Sequence, residues 1–162
     1  MNTAIEQTRS EGWGERTTSH EFVTMIIAGQ LFGIPVLQVQ DVLGPQRIAR
    51  IPMAPPWVAG VLNLRGRIVT AIDVRRRLRM PESELPGAAM SVVVEHSGEL
   101  YSLLVDEVGE VMVCRADRIG PNPSTLDPVW QEISKGIVQL DDRLMIILQV
   151  QRLFHLAHSA AA

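Results

Sequence analysis

The chain has 162 residues, 46% of them hydrophobic and 20% charged, which allows one domain or two small packed lobes and suits a folded globular protein rather than a disordered one. A net charge of −3 and an aromatic content of 4% argue against a nucleic-acid or anionic-lipid surface and against a base-stacking platform. The single cysteine, Cys114, excludes an internal disulfide and suits a reducing compartment.

Residues Met1 to Ser19 read as a mobile tail rich in Thr, Ser, Glu and Gly, without the apolar core of a signal peptide. No apolar run approaches membrane-spanning length, so a cytoplasmic protein is expected. Glu21 to Ala28 and Leu31 to Pro35 read as a hairpin about Gly29-Gln30. Val36 to Leu43 has apolar residues at helical spacing and is stopped by Gly44-Pro45, which predicts a short helix, although its valines weaken that propensity. Arg47 to Ile51 alternates like a strand with one polar face. Pro52, Pro55 and Pro56 then impose an extended loop; Pro52 to Pro55 has the PxxP form of a polyproline ligand, but a stiff connector between two strands is much the better reading.

The most informative stretch is Val58 to Leu78. Two β-branched runs, 58–62 and 68–72, flank Asn63-Leu64-Arg65-Gly66, and Gly66 takes positive φ without steric cost. A tight hairpin presenting Arg65 is predicted, with Asp73 capping a short helix from Val74 to Leu78. On pattern alone Arg65 is a solvated turn residue. Met80 to Ala89 reads as a loop that tolerates change. Met90 to Glu95 and Leu100 to Val105 read as strands joined by His96 to Glu99. After a turn at Asp106 to Gly109, Glu110 to Arg115 reads as a third. Ala116 to Pro128 reads as a loop, Ile133 to Leu140 and Leu144 to Leu148 as a last hairpin, and Gln149 to His158 as a closing helix. The sum is about ten short strands with tight turns, an all-β pattern of sandwiches or barrels. The halves share a strand–hairpin rhythm but show no residue-level repeat.

Motifs of reaction chemistry are missing from the reading: no Walker or Rossmann phosphate loop and no GxSxG elbow occur. His155 and His158 form a weak metal signal better read as a solvated helix end. Asp141-Asp142 fits a hairpin turn and Cys114 a small buried group. Arg75, Arg76, Arg77 and Arg79 read as a solvated helix face, with Arg75 placed to pair with an acid. Gly, Asn, Arg and aliphatic residues around turns suit an interaction surface rather than a reaction centre. The chain is read as non-enzymatic, without metal or cofactor.

The run Gly60-Val61-Leu62-Asn63-Leu64-Arg65-Gly66, followed by Ile68-Val69, Ile72-Asp73 and Arg75, resembles the signature of the CheW chemotaxis coupling family. Leu31 to Val36, Val39 to Val42, Ile51-Pro52, Leu103 to Val108, Gly136-Ile137 and Leu144 to Leu148 resemble further family motifs in the same order. The sequence departs from the family at Thr70 and Val74, where proline and leucine are usual, and at Ser102, where glycine is common. The resemblance implies two interleaved, five-stranded SH3-like barrels with short helices. It sets tails at 1–19 and 159–162 around one unit at 20–158. It further implies an adaptor coupling the regulatory domain of a CheA-type histidine kinase to the cytoplasmic tip of methyl-accepting chemotaxis receptors, in arrays beneath the inner membrane. Nucleic-acid binding and membrane insertion are not implied. With no kinase or receiver domain attached, the kinase and fused-receiver variants of the module are not expected. Carried over residue by residue, Val39, Asp41, Gly60, Asn63, Arg65 and Gly66 are the implied receptor- or kinase-binding positions, with Asp41 and Arg65 expected to approach each other beside a groove between the barrels. A coupling protein for a non-flagellar chemosensory pathway and a small-barrel enzyme or nucleic-acid module are the competing readings.

Overall fold

In the computed structural model, which describes residues 18–82 and 89–154, the apolar runs become eleven strands in two sheets. The strands are β1 (Ser19–Ile27), β2 (Gln30–Pro35), β3 (Val39–Leu43), β4 (Val58–Leu64), β5 (Arg67–Asp73), β6 (Met90–His96), β7 (Glu99–Val105), β8 (Glu107–Arg115), β9 (Ile119–Gly120), β10 (Ser134–Gln139) and β11 (Leu144–Leu148). Helices α1 (Val74–Arg77) and α2 (Pro128–Ile133) and a final helix α3, described over 150–154, complete the fold. Sheet A runs β8-β1-β2-β11-β10-β9 and sheet B runs β3-β6-β7-β5-β4. Sheet A therefore draws strands from both ends of the chain and sheet B from its middle, which is the interleaving expected.

The strand runs are nearly continuous in hydrophobicity because most strands bury both faces. Phe22, Leu31, Met145 and Ile147 fill the interior of barrel A, and Leu62, Val69 and Ala71 that of barrel B. The alternate residues go into a third and larger cluster that both sheets share. Val23, Met25, Phe32 and Ile146 enter it from sheet A, and Ile72, Val92, Val94 and Leu103 from sheet B.

Several elements differ from the sequence reading. Val36 to Leu43 is not a helix: a 3-10 turn (Val36–Gln38) leads directly into β3, because the valines that disfavour a helix pair with Val94 and Val92 of β6. The alternating 47–51 segment contributes only a bridge between Ala49 and Val61. The first hairpin turns at Ala28 and Gly29, both at positive φ, one residue before the expected pair. Strand β8 begins at Glu107 and absorbs the expected 106–109 turn as a bulge opposite Thr24. Strand β1 opens at Ser19, inside the expected tail. Helix α2 lies across the end of the expected loop, capped by the Asp127 carboxylate on Val129 N–H at 2.9 Å and started by Pro128. The expected cap on α1 is present, with Asp73 Oδ1 accepting from Arg76 N–H at 3.2 Å. Thr70 and Ser102 sit in regular ladder pairs and Val74 is buried, so the family departures leave the strands intact. Among the described residues the Ser91 and Ser102 hydroxyls, inside barrel B, have no hydrogen-bond partner. Most of the loop expected at 80–89, the two histidines and the C-terminal tail lie outside the described residues.

The register exposes a duplication that the sequence hides. Residues 22–43 correspond one to one with 91–112, and 58–78 with 134–154. Parallel pairing joins Ala71 to Ser102 in one half and Ile147 to Gly33 in the other. Each half has a glycine after a bulge, Gly60 and Gly136, both at positive φ. Each half also ends its second hairpin with the same backbone bond at 2.8 Å, Asp73 N–H to Trp57 and Gln149 N–H to Ile133. Val23/Val92, Gly29/Gly98, Leu31/Leu100, Val36/Val105, Val39/Val108 and Val42/Val111 are identical across the first pair of segments. The two repeats have exchanged their first hairpins: β1-β2 completes the barrel of the second repeat, and β6-β7 that of the first.

One polar clip ties the exchange together. The Arg75 guanidinium of α1 donates from Nε to Asp106 Oδ1 at 3.0 Å and from Nη2 to Oδ2, and Oδ2 also accepts from Ala28 N–H at 2.8 Å. Burial would raise the Asp106 carboxyl, but the hydrogen bonds from Arg75 and Ala28 and the Arg75 charge outweigh it and hold the carboxyl below its usual range. A carboxyl depressed in the folded state adds stability that is present above its unfolded value, about 3.9, and is lost as pH falls through the folded value. In urea melts, Asp106→Asn should cost about 2 kcal/mol near neutral pH, the gap to wild type closing below about pH 4. A gap that does not depend on pH would remove the clip from the account of stability.

Gly60 and Gly136 are required for close approach as well as for φ. A Cβ on Gly60 would strike the Ala49 carbonyl oxygen and Ile48 Cγ2; one on Gly136 would meet the Gly120 carbonyl oxygen at 2.7 Å and Ile119 Cγ2 at 3.3 Å. Gly60→Ala and Gly136→Ala should each destabilise by about 2 kcal/mol or more, measured by chemical denaturation, while Gly66→Ala, with open space around it, should cost about 1 kcal/mol through φ alone.

Candidate functional site

The candidate site is the seam where the two edges of sheet B meet. Strand β3 is one edge and β4 the other, yet Arg65 at the tip of the β4-β5 hairpin reaches Asp41 on β3, Nη2 to Oδ2, at 3.2 Å. The ion pair therefore closes the barrel across its open side. Both partners are set by local geometry. The turn is two residues long, Arg65 at φ 52° and Gly66 at φ 84°, the twist that suits a tight hairpin. Asn63 Oδ1 accepts from Gly66 N–H at 2.8 Å and braces it. A bulge at Gln40, between the Val39–Val94 and Asp41–Val93 pairs, sets Asp41 in register, and its Oδ1 accepts from Val42 N–H at 2.9 Å.

The six sequence-derived positions separate into three roles. Asp41 and Arg65 form the ion pair, as expected. Asn63 and Gly66 shape the turn that presents the arginine. Gly60 is buried under the seam against Ala49, and Val39 is half-buried against the shared core, so both support the surface rather than form it.

The elements that carry the pair also expose aliphatic side chains that the sequence reading missed. Leu37 is 92% exposed on the 3-10 turn, Ile68 is 68% exposed on β5 and Val42 is 38% exposed on β3. Strand periodicity applies to Val42 only once β3 is known to be a strand. Nothing in the sequence marks Leu37. Arg65 is 80% exposed and Asp41 27%, so the seam offers a solvated cation and a partly shielded anion.

A second concavity, a cleft of about 620 Å³, follows the proline segment and is lined by Arg50, Pro52, Met53, Pro55, Asp73 and Arg76 among others. Two of its charged groups, Asp73 and Arg76, are already engaged. Asp73 caps α1, and Arg76 pairs with Glu82 at 2.7 Å. Among the described residues no group of three or more His, Cys, Asp or Glu is placed to hold a metal ion. Burial raises the Cys114 thiol, which suits its place in the barrel A core, where it packs as a small apolar group. Among the described residues no helix is long and apolar enough to cross a membrane.

Comparison with known proteins decides the family. The family model for the CheW-like domain matches residues 21–158. The chain belongs to the CheW-like domain family. It is 28% identical over 137 residues to chemotaxis protein CheW of Klebsiella aerogenes, covering 85% of this chain and 82% of that one. It is 26% identical over 142 residues to a probable chemotaxis protein CheW of Rhizobium etli, covering 88% and 92%. Protein PilI of Pseudomonas aeruginosa is 30% identical over 111 residues, 68% of this chain and 62% of that one. Among solved structures, the scaffolding protein TtCheW from Thermoanaerobacter tengcongensis superposes with a TM-score of 0.76 at 29% identity, covering 85% and 88% of the two chains. The CheW-like fold, two interleaved SH3-like barrels, is the architecture found here.

An ion pair this exposed contributes little to folding, about 0–1 kcal/mol. Arg65→Ala and Asp41→Ala should therefore leave the midpoint of urea unfolding within about 1 kcal/mol of wild type. A larger loss would make the pair a structural clamp on the barrel instead of a feature of its surface.

Proposed function

We propose that this chain is a non-catalytic adaptor that holds the regulatory domain of a CheA-type histidine kinase and the cytoplasmic tip of a methyl-accepting chemotaxis receptor in one complex. It acts as one unit, residues 20–158, in the cytoplasm at receptor arrays. The observation that carries this reading is the Arg65–Asp41 pair across the barrel B seam; the elements that carry it also expose aliphatic side chains, Leu37 and Val42 along the segment of Asp41 and Ile68 on the strand after Arg65. A helical hairpin needs an aliphatic strip for burial and one or two charges for register, and these elements supply both. Relatives named as chemotaxis proteins and a solved relative described as a scaffolding protein support the same reading. Signalling through such a chain is a change in relative affinity or geometry, with no bond made or broken.

The similarity to Protein PilI favours a second reading, a coupling protein of the same kind in a non-flagellar chemosensory pathway. The two share one mechanism and differ in which kinase and receptor co-purify with the chain.

Arg65→Glu sets two carboxylates against each other across the seam. It should weaken receptor binding by about tenfold or more while the circular dichroism spectrum stays that of wild type. Ternary complexes of kinase, receptor fragment and adaptor that assemble equally well with this variant would take Arg65 out of the binding surface.

A further inference from the structure

The internal duplication lets the two barrel interiors be compared position by position. In barrel A, Phe22, Met145 and Ile147 fill the centre, and Gly33 leaves them room: a Cβ there would meet Met145 Sδ at 2.8 Å and Phe22 Cβ at 3.2 Å. The corresponding positions in barrel B hold Ser91, Val69, Ala71 and Ser102. A benzyl group is thus replaced by a hydroxymethyl, a thioether chain by an isopropyl and a branched butyl by a methyl. Ser102 in place of Gly33, Leu62 in place of Val138 and Leu104 in place of Pro35 return only part of that volume. Barrel B closes on the same strand pairs, so its interior is short of side-chain atoms beside the two serines.

Both serines are fully buried, and strand alternation turns them inward. Ser102 pairs with Ala71 on β5 and Val93 on β6, and Ser91 pairs with Leu104 on β7. Among the described residues neither hydroxyl has a hydrogen-bond partner. A buried hydroxyl left so carries its full desolvation cost, and here two of them face an otherwise apolar cluster of Leu62, Val69 and Ala71. The two serines lie one diagonal step apart across β6 and β7, a separation of about 7 Å. That spacing leaves the hydroxyls unbonded to each other, as observed, and admits one water molecule between them.

We infer that barrel B binds one internal water, bridged between the Ser91 and Ser102 hydroxyls, in the space that Phe22 and Met145 fill in barrel A. The lining selects the ligand. Two hydroxyls supply donors and acceptors to a water, whereas an apolar occupant would leave both unpaired. The site is built on the strands that carry the Arg65–Asp41 seam: Ser91 pairs with Leu43, two residues beyond Asp41, and Ser102 pairs with Ala71 on the strand that leaves the Arg65 turn. Barrel B therefore closes around a hydrogen-bonded water where barrel A closes around an aromatic ring. The inference is independent of which partners the chain holds.

The experiment uses the full-length chain in two ways. In wild type, water–protein NMR cross-relaxation should detect a long-lived water in contact with the side chains of both Ser91 and Ser102; contacts at neither serine, or at one alone, overturn the inference. In urea denaturation, Ser91→Ala, Ser102→Ala and the double variant are compared with wild type. Removing either hydroxyl releases one end of the bridge. Each single change should therefore lower the folding equilibrium constant about fivefold, and the double variant should fall no more than about twofold below the weaker single. Two alanines that each raise the constant show hydroxyls that bond nothing, and overturn the inference. Losses that simply add give each serine a separate partner and overturn it as well, as do variants that all match wild type. Where a variant fails to fold, the wild-type NMR measurement decides alone.

Discussion

The structure depends on the apolar cluster that the two sheets share. Val23, Met25, Phe32 and Ile146 meet Ile72, Val92, Val94 and Leu103 there, while the opposite faces of the same sheets close two much smaller barrel cores. Barrels of this size have small cores of their own, and small cores give marginal stability. Pooling the other face of each sheet supplies what is missing, and the exchanged hairpins make the pooling obligatory. Strand β2 cannot leave β11 without opening barrel A, nor β7 leave β5 without opening barrel B. The surface features then sit on one cooperative unit.

On that duplicated frame the chemistry is unsymmetrical. Asp106 clips α1 through Arg75 and the hairpin tip through Ala28, but its counterpart in the other repeat is Leu37, fully in solvent, and the counterpart of Arg75 is Gln151. The Arg65 of one turn is the Asp141 of the other. The residues that had to stay alike are those the backbone demands: Gly60 and Gly136 under a crossing strand, and the valines at 23 and 92 in the shared core. The residues free to differ are at the surface, and at the second-hairpin turn the two halves carry opposite charge, Arg65 in one and Asp141 in the other. A duplicated frame with divergent surfaces is a simple physical route from one binding module to an adaptor with two different faces.

Coupling by such a molecule asks for rigidity and complementary surfaces rather than reactive groups. The seam residues fit this. The Arg65 turn is braced by Asn63, Asp41 is set by a bulge, and the aliphatic side chains on these elements need no rearrangement to be exposed. Preorganised surfaces lower the ordering cost of binding, so modest contact areas suffice for an adaptor of this kind.

By itself the sequence determined the strands with strong β-branched runs, the two-residue turn at Arg65-Gly66, the Asp73 cap and, through its motif order, the family. These depend on local sterics and on residues close in the chain. Val36 to Leu43 was misread because helix and strand periods cannot be separated in eight residues when the deciding partners, Val92 and Val94, are fifty residues away. The Arg65–Asp41 pair was foreseen from motif resemblance, but only the curl of sheet B brings its two edges together. Exposure of Leu37, Val111 and Val113 had no signature, since an exposed aliphatic and a buried one are the same letter. The duplication escaped because its conserved positions are scattered apolar residues and glycines. Only strand register, which tertiary packing decides, aligns one half of the chain with the other.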